Sequence, residues 1–138
     1  MGLRLWLDGE RVRGEVTLDR RHEGAPGFAH GGAVATVLDD ALGTLLAVLR
    51  RPAVTAKLDV DYRRPAFLGR RFTVETWVER SDGRKLWLAG EMREGEELVA
   101  EAHALFLAVS IEHFAEGIGE SADRWRERAE RTGMGLPW

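Results

Sequence analysis

The residues best placed to carry out chemistry lie between a glycine pair and an aspartate in the first third of the chain. Gly31 and Gly32 follow His30, and Asp39 lies eight positions after Gly31 in an otherwise apolar segment. We predict that the two glycines precede the first turn of a helix, where backbone N–H groups lack intrahelical partners and can stabilise a developing oxyanion. Because an ionised carboxylate is costly on an apolar helix, Asp39 is the candidate catalytic carboxylate.

The helix that would position Asp39 is predicted over residues 33–49, where apolar residues occupy almost every side. A helix that is apolar nearly all round is buried in its fold. The segment Arg50-Arg51-Pro52 predicts the helix end, because cations favour that end of the dipole and proline cannot continue the hydrogen bonding. The glycine-rich residues 22–32 before it predict a shaped loop.

The other segments alternate apolar and polar residues, which is typical of strands. A strand or hairpin with a turn at Asp8-Gly9 is predicted before the helix, and a strand over residues 54–62, stopped by Pro65, after it. Three more strands are predicted at residues 71–79, 85–93 and 97–110, joined by short turns. This order predicts an α+β fold in which an antiparallel sheet wraps around a central buried helix.

A single sheet of this size leaves an edge and part of the helix uncovered, so we expect a homo-oligomer, either a dimer or a dimer of dimers. The 138 residues predict one domain, residues 1–138, with residues 112–138 as a tail that carries an appended surface helix near residues 121–132. The net charge of −3 offers no general attraction to nucleic acid or anionic membranes. Without cysteine or a metal-ligand spacing, neither a disulfide framework nor a metal site is predicted. We also expect a cytoplasmic protein.

Two segments resemble the signatures of the PaaI-type hotdog-fold acyl-CoA thioesterases. They are GAPGFAHGGAVATVLD at residues 24–39 and VTAKLDVDYRRP at residues 54–65. The resemblance covers roughly residues 24–109. It implies a hotdog fold and hydrolysis of acyl-CoA or a related thioester to a free acid and CoA, with no metal or organic cofactor.

The resemblance also implies roles for individual residues. Asp39 would be the catalytic carboxylate, acting as nucleophile or general base, Gly31 the oxyanion donor, and Thr55 a helper on the next strand. His30 is expected mainly to hold the loop through its ring, with direct catalysis as the alternative. Some relatives carry an Asn before the HGG motif where this chain has Gly24. The residues expected to bind substrate are Gly32, Arg63, Arg64 and Pro65.

Structural readings of these residues stay open. Asp39 could be a buried acid paired with an arginine, and its neighbour Asp40 is a rival, although the two side chains leave a helix about 100° apart. Thr55 raises a geometric difficulty, because strict alternation places it opposite Val54 and Ala56, which are expected to cover the helix. Thr55 then reaches the site only if the strand bulges or the site lies at a subunit boundary.

Two other functions compete with thioester hydrolysis. A non-catalytic acyl-CoA binding or sensor protein would keep the pocket and lose the carboxylate, whereas Asp39 is present. A hotdog hydratase or dehydratase resembles a different, histidine-centred pattern, and the spacing of Asp39 argues against it.

Overall fold

The computed structural model describes residues 2–110 and, in the C-terminal tail, Glu127 alone. The helix predicted near residues 121–132 therefore lies outside the described residues, Glu127 excepted. A short 3-10 helix spans Arg20–His22. The other elements are β1 (Arg4–Asp8), β2 (Arg11–Thr17), α1 (Gly31–Leu49), β3 (Ala53–Tyr62), β4 (Arg71–Asp82), β5 (Lys85–Glu94) and β6 (Glu97–Ala108).

The six strands form one antiparallel sheet in the order β1-β2-β4-β5-β6-β3. Helix α1 contacts all six strands and packs one face against the sheet, while Thr36 and Asp40 on the other face are exposed. The buried positions of this face are Val34, Val37, Leu38, Ala41, Leu42, Leu45 and Leu46. Strands β1 and β3 are the two edges. The α+β prediction is confirmed, and the arrangement is that of the hotdog fold.

Three hairpins connect neighbouring strands through two-residue loops that begin with glycine. Gly9, Gly83 and Gly95 have φ values of 63°, 59° and 59°. A positive φ at the first loop residue is the requirement of a type II′ turn, whose twist matches that of the flanking strands. The turns predicted from the sequence are therefore confirmed, and glycine is needed at each for its backbone conformation.

The core lies between α1 and the concave face of the sheet. The only fully buried polar residue among those described is Thr76 on β4, whose hydroxyl donates to the carbonyl of Ala41 at 3.3 Å. This bond satisfies the hydroxyl and ties the sheet to the helix. The largest fully buried side chains of the core are Val12, Val16, Leu18, Val37, Leu38, Leu42, Leu45, Phe72, Leu86, Leu88, Met92 and Val99.

Both ends of α1 depart from regular helix in ways that local sequence explains. The helix begins at Gly31, two residues before the predicted start, because His30 takes an extended conformation (φ −60°, ψ 139°) and caps it. The prediction of a loop through Gly32 is therefore wrong for its last two residues. At the other end Arg50 adopts the left-handed conformation (φ 50°, ψ 40°) and closes the helix where its end was predicted.

Strand β3 contains a bulge at Ala56, which has no partner in β6. Thr55 pairs with Phe106 and Lys57 with Leu105, so one extra residue lies between them. The extra residue changes which alternate positions face the helix. Val54, with 39% of its surface exposed, and Ala56 are therefore exposed, and the expectation that they cover the helix is wrong.

Beyond the bulge, the alternation resumes with the opposite phase. Leu58 and Val60 are partly buried and pack against the core, and Tyr62 lies on the same side. Leu58 and Val60 therefore direct the apolar side of β3 to the core.

The close approach of β1 to β2 gives a test of the packing. A methyl group on Gly14 would lie 2.5 Å from Cδ2 of Leu5 and 2.8 Å from the carbonyl oxygen of Arg4. Because the backbone of β1 would have to move, we expect Gly14→Ala to lower the free energy of unfolding by about 1–3 kcal/mol. Chemical denaturation followed by circular dichroism would measure the change.

Gly43→Ala is the matched control. In the described part of the chain nothing lies within 4 Å of the methyl group it would add. Alanine in a helix interior is favoured over glycine, so this variant should gain roughly 0.5–1 kcal/mol. A Gly14→Ala protein as stable as the wild type would contradict the packing of β1.

Candidate active site

The carboxylate of Asp39 is held by a hydroxyl group from β3. Thr55 Oγ1 donates to Asp39 Oδ1 at 3.2 Å. The bulge at Ala56 is what allows this contact, which strict alternation had placed in doubt. Asp39 is half-buried, whereas Asp40 is exposed.

No cation neutralises Asp39 within the described part of the chain. No arginine, lysine or histidine there lies within ion-pair distance of its carboxylate, although many other carboxylates of the protein are paired. Pairing with an arginine, the structural alternative for Asp39, is therefore not found among these residues. A carboxylate with one neutral donor and access to solvent can accept a proton or attack a carbonyl carbon.

The start of α1 leaves one backbone donor open. His30 Nδ1 accepts from the Gly32 N–H at 2.9 Å, and the His30 carbonyl accepts from the N–H groups of Ala33 and Val34 at 2.9 and 3.3 Å. For the Gly31 N–H, no acceptor is found among the residues that the structure describes. Of the two glycines, Gly31 therefore has the available donor, while the donor of Gly32 is occupied.

The cap determines which nitrogen of the His30 ring accepts a hydrogen bond. Because the Gly32 N–H can only donate, Nδ1 must accept, and a neutral ring then carries its proton on Nε2. A methyl group on Gly24 would lie 3.1 Å from the Cα of His30, so glycine at this position allows the loop to pack closely against the capping residue.

Tyr62 joins the site through a contact that the sequence did not indicate. Its hydroxyl donates to the carbonyl oxygen of Gly31 at 2.6 Å. Alternation places Tyr62 on the same face of β3 as Leu58 and Val60, but it does not indicate that the hydroxyl reaches the start of α1.

The helix itself keeps the two groups of the site apart. Gly31 and Asp39 lie eight residues apart in α1, which corresponds to about 12 Å along the helix axis. Hydrogen bonding and nucleophilic attack both need contacts of about 3 Å. Within one chain, Gly31 and Asp39 therefore cannot act on the same carbonyl group.

The basic residues after β3 are exposed and already paired with glutamates of β6. Arg63 Nη2 lies 2.5 Å from Glu101 Oε1, and Arg64 Nη2 lies 2.5 Å from Glu97 Oε2. The hydrogen bond between Arg63 and Glu101 raises the pKa of the arginine and lowers the pKa of the glutamate. Pro65, the next predicted substrate contact, is also exposed.

The described residues contain no cluster of three His, Asp or Glu side chains arranged to hold a metal ion. No helix in that part of the chain is both long and apolar enough to span a bilayer.

The chain is similar to known proteins in sequence and in fold. Residues 26–101 match the family model described as thioesterase superfamily. The acyl-coenzyme A thioesterase THEM4 of Xenopus laevis is 39% identical over 87 residues, which are 62% of this chain and 39% of that protein. The chain thus spans about two fifths of the length of this curated relative.

Solved structures show the same architecture. The thioesterase superfamily protein RHA08564 superposes with a TM-score of 0.72 at 34% identity, over 76% of this chain and 55% of that one. A variant of the phenylacetic acid degradation protein PaaI from Thermus thermophilus gives a TM-score of 0.72 at 25% identity, over 78% and 94% of the two chains. Fold and site define a hotdog-fold domain with a carboxylate on its central helix. The chain belongs to the thioesterase superfamily.

Proposed function

We propose that the protein hydrolyses acyl-CoA thioesters to a free acid and CoA. The observation that carries this proposal is the half-buried carboxylate of Asp39, which has a hydroxyl donor but, among the described residues, no cation beside it. It lies on a helix whose first N–H group, at Gly31, has no acceptor among those residues. The names of the relatives, acyl-coenzyme A thioesterase and thioesterase superfamily protein, support the substrate class.

The chemistry follows one of two routes. As a general base, Asp39 takes a proton from water while the water oxygen adds to the thioester carbonyl. The tetrahedral intermediate then expels the CoA thiolate, which takes up the proton held by Asp39, and the free acid leaves. As a nucleophile, an Asp39 oxygen adds instead, expels the CoA thiolate and forms a mixed anhydride, which water then hydrolyses to regenerate the carboxylate. In both routes the Gly31 N–H stabilises the oxyanion, and Thr55 fixes the orientation of the carboxylate.

The roughly 12 Å between Gly31 and Asp39 leads us to propose a site shared by two subunits. In a dimer the start of α1 from one subunit faces the Asp39 of the other, which places donor and carboxylate on opposite sides of one thioester. The edge strand β3 supports this arrangement, because it pairs on one side with β6 and carries the exposed Val54 and Tyr62. Edge strands of this kind template pairing with a second chain.

Replacement of the carboxylate tests the chemistry directly. Asp39→Asn keeps the volume and removes the negative charge, so kcat should fall by at least about 10². Hydrolysis of a panel of acyl-CoAs, followed by detection of free thiol, measures the effect, and circular dichroism verifies the fold. Asp40→Asn is the matched control and should keep most of the activity. Wild-type turnover by the Asp39 variant would refute the assignment, and so would loss of activity in the Asp40 variant in its place. If neither the wild type nor the variants turn over any thioester but all bind CoA, the sensor function is favoured.

A variant of Gly31 tests the shared site. Gly31→Pro replaces the open N–H with a ring carbon, at a first helical position that favours proline and after an extended His30 that suits a following proline. Gly31→Ala, which keeps the N–H, is its control. After co-refolding, Gly31→Pro and Asp39→Asn subunits should recover about one quarter of wild-type activity, because half of the random dimers contain one intact composite site. If each site belongs to one subunit, the mixture will stay as inactive as its components.

Arg63 and Arg64 are proposed to bind the phosphates of CoA, exchanging their glutamate partners for the ligand. Arg63→Ala/Arg64→Ala should then raise KM for acyl-CoA about tenfold, the effect of losing a charge-assisted hydrogen bond, and leave KM for an acyl-pantetheine thioester unchanged. Arg11→Ala/Arg13→Ala removes the same charge from β2 and is the control. Equal effects of the Arg63/Arg64 change on both substrates would show that the two arginines serve only the fold.

A further inference from the structure

We propose that Tyr62 is a positioning residue, whose hydroxyl holds the first peptide of α1 so that the Gly31 N–H points in a fixed direction. This inference rests on the proposed function, in which the Gly31 N–H receives the oxyanion. It adds a residue of β3 to the reaction without requiring that residue to touch the substrate.

The peptide group between Gly31 and Gly32 is held at both of its polar atoms. The Tyr62 hydroxyl donates to the carbonyl oxygen of Gly31 at 2.6 Å, and the N–H of Gly32 donates to His30 Nδ1 at 2.9 Å. Both bonds draw electron density in the same direction through one peptide group, so each strengthens the other. No other peptide of the first helical turn has side-chain partners at both atoms within the described part of the chain.

Two consecutive glycines make such a clamp necessary. Glycine has the widest backbone freedom of any residue, and a pair of them at a helix start would let the first N–H swing. On the other side of Gly31, the carbonyl of His30, which belongs to the same peptide group as the Gly31 N–H, accepts from the N–H groups of Ala33 and Val34 at 2.9 and 3.3 Å. With the neighbouring peptide fixed as well, the Gly31 N–H is oriented before substrate arrives, and a preorganised donor needs no rearrangement during reaction.

The tyrosine is itself fixed by the sheet. Tyr62 pairs with Ala100 of β6, and the N–H of the next residue, Arg63, donates to the carbonyl of Val99 at 2.8 Å. A methyl group on Gly31 would lie 3.4 Å from the tyrosine oxygen, so the hydroxyl approaches the helix start closely. Because 52% of the tyrosine surface is exposed, the hydroxyl contributes little to the core.

The test begins with Tyr62→Phe, which removes only the hydroxyl from the chain's single tyrosine. We expect kcat for acyl-CoA to fall about tenfold, less than the roughly 10²–10³ typical of deleting an oxyanion donor, with KM within about twofold of the wild type. The thermal midpoint should not change. Thr36→Val is the matched control. The Thr36 hydroxyl donates to the carbonyl of Gly32 at 2.8 Å, one peptide further along the helix, and its loss should leave kcat unchanged.

A double-mutant cycle separates positioning from other roles. In the Gly31→Pro background the oxyanion N–H is already absent, so adding Tyr62→Phe should cause no further loss of kcat. An equal loss in both backgrounds would mean that Tyr62 acts on the substrate or the fold and would overturn the inference. If Tyr62→Phe keeps the wild-type kcat while Gly31→Pro loses activity, the inference about Tyr62 is overturned and the proposed function stands. Wild-type activity in Gly31→Pro would instead remove the oxyanion role proposed for Gly31, and the inference with it.

Discussion

A helix with apolar side chains on almost every side must be covered, and in this protein one six-stranded sheet has to cover it. The sheet therefore curls until all six strands contact α1, and the hydroxyl of Thr76 bonds to a helix carbonyl from within the core. The polar side chains of the helix that stay accessible include Thr36 and Asp40 on its exposed face and, beside the edge strand β3, the half-buried Asp39. The burial requirement thus also decides where the chemistry can occur.

The bulge at Ala56 links this packing to the site. Before it, Thr55 points to Asp39, and after it, Tyr62 points to the start of the same helix. A strand without the extra residue would direct one of these two side chains away from α1. One unpaired residue thus lets a single edge strand contact both the Asp39 carboxylate and Gly31, the proposed oxyanion donor.

The length of the helix sets the other main constraint. A rigid helix separates Gly31 from Asp39 by a distance that no side-chain movement can close, while both groups lie near the open edge of the sheet. The proposed dimer accounts for both the separation and the open edge, because a second copy covers the edge and brings its own Asp39 to the Gly31 of the first. Arg63 and Arg64 are already paired with glutamates, so a CoA phosphate that binds there, as proposed, has to compete with these ion pairs.

By itself, the sequence determined the elements, the glycine turns, the fold class and the spacing between Gly31 and Asp39, because periodicity, turn residues and spacing are local properties of a chain. Only the tertiary structure decided that His30 starts the helix at Gly31, that Thr55 reaches Asp39 and that Tyr62 holds Gly31. These contacts depend on the register between β3 and β6 and on the loop that carries His30. Register arises from pairing between distant segments, and a single bulge reverses the faces that alternation predicts.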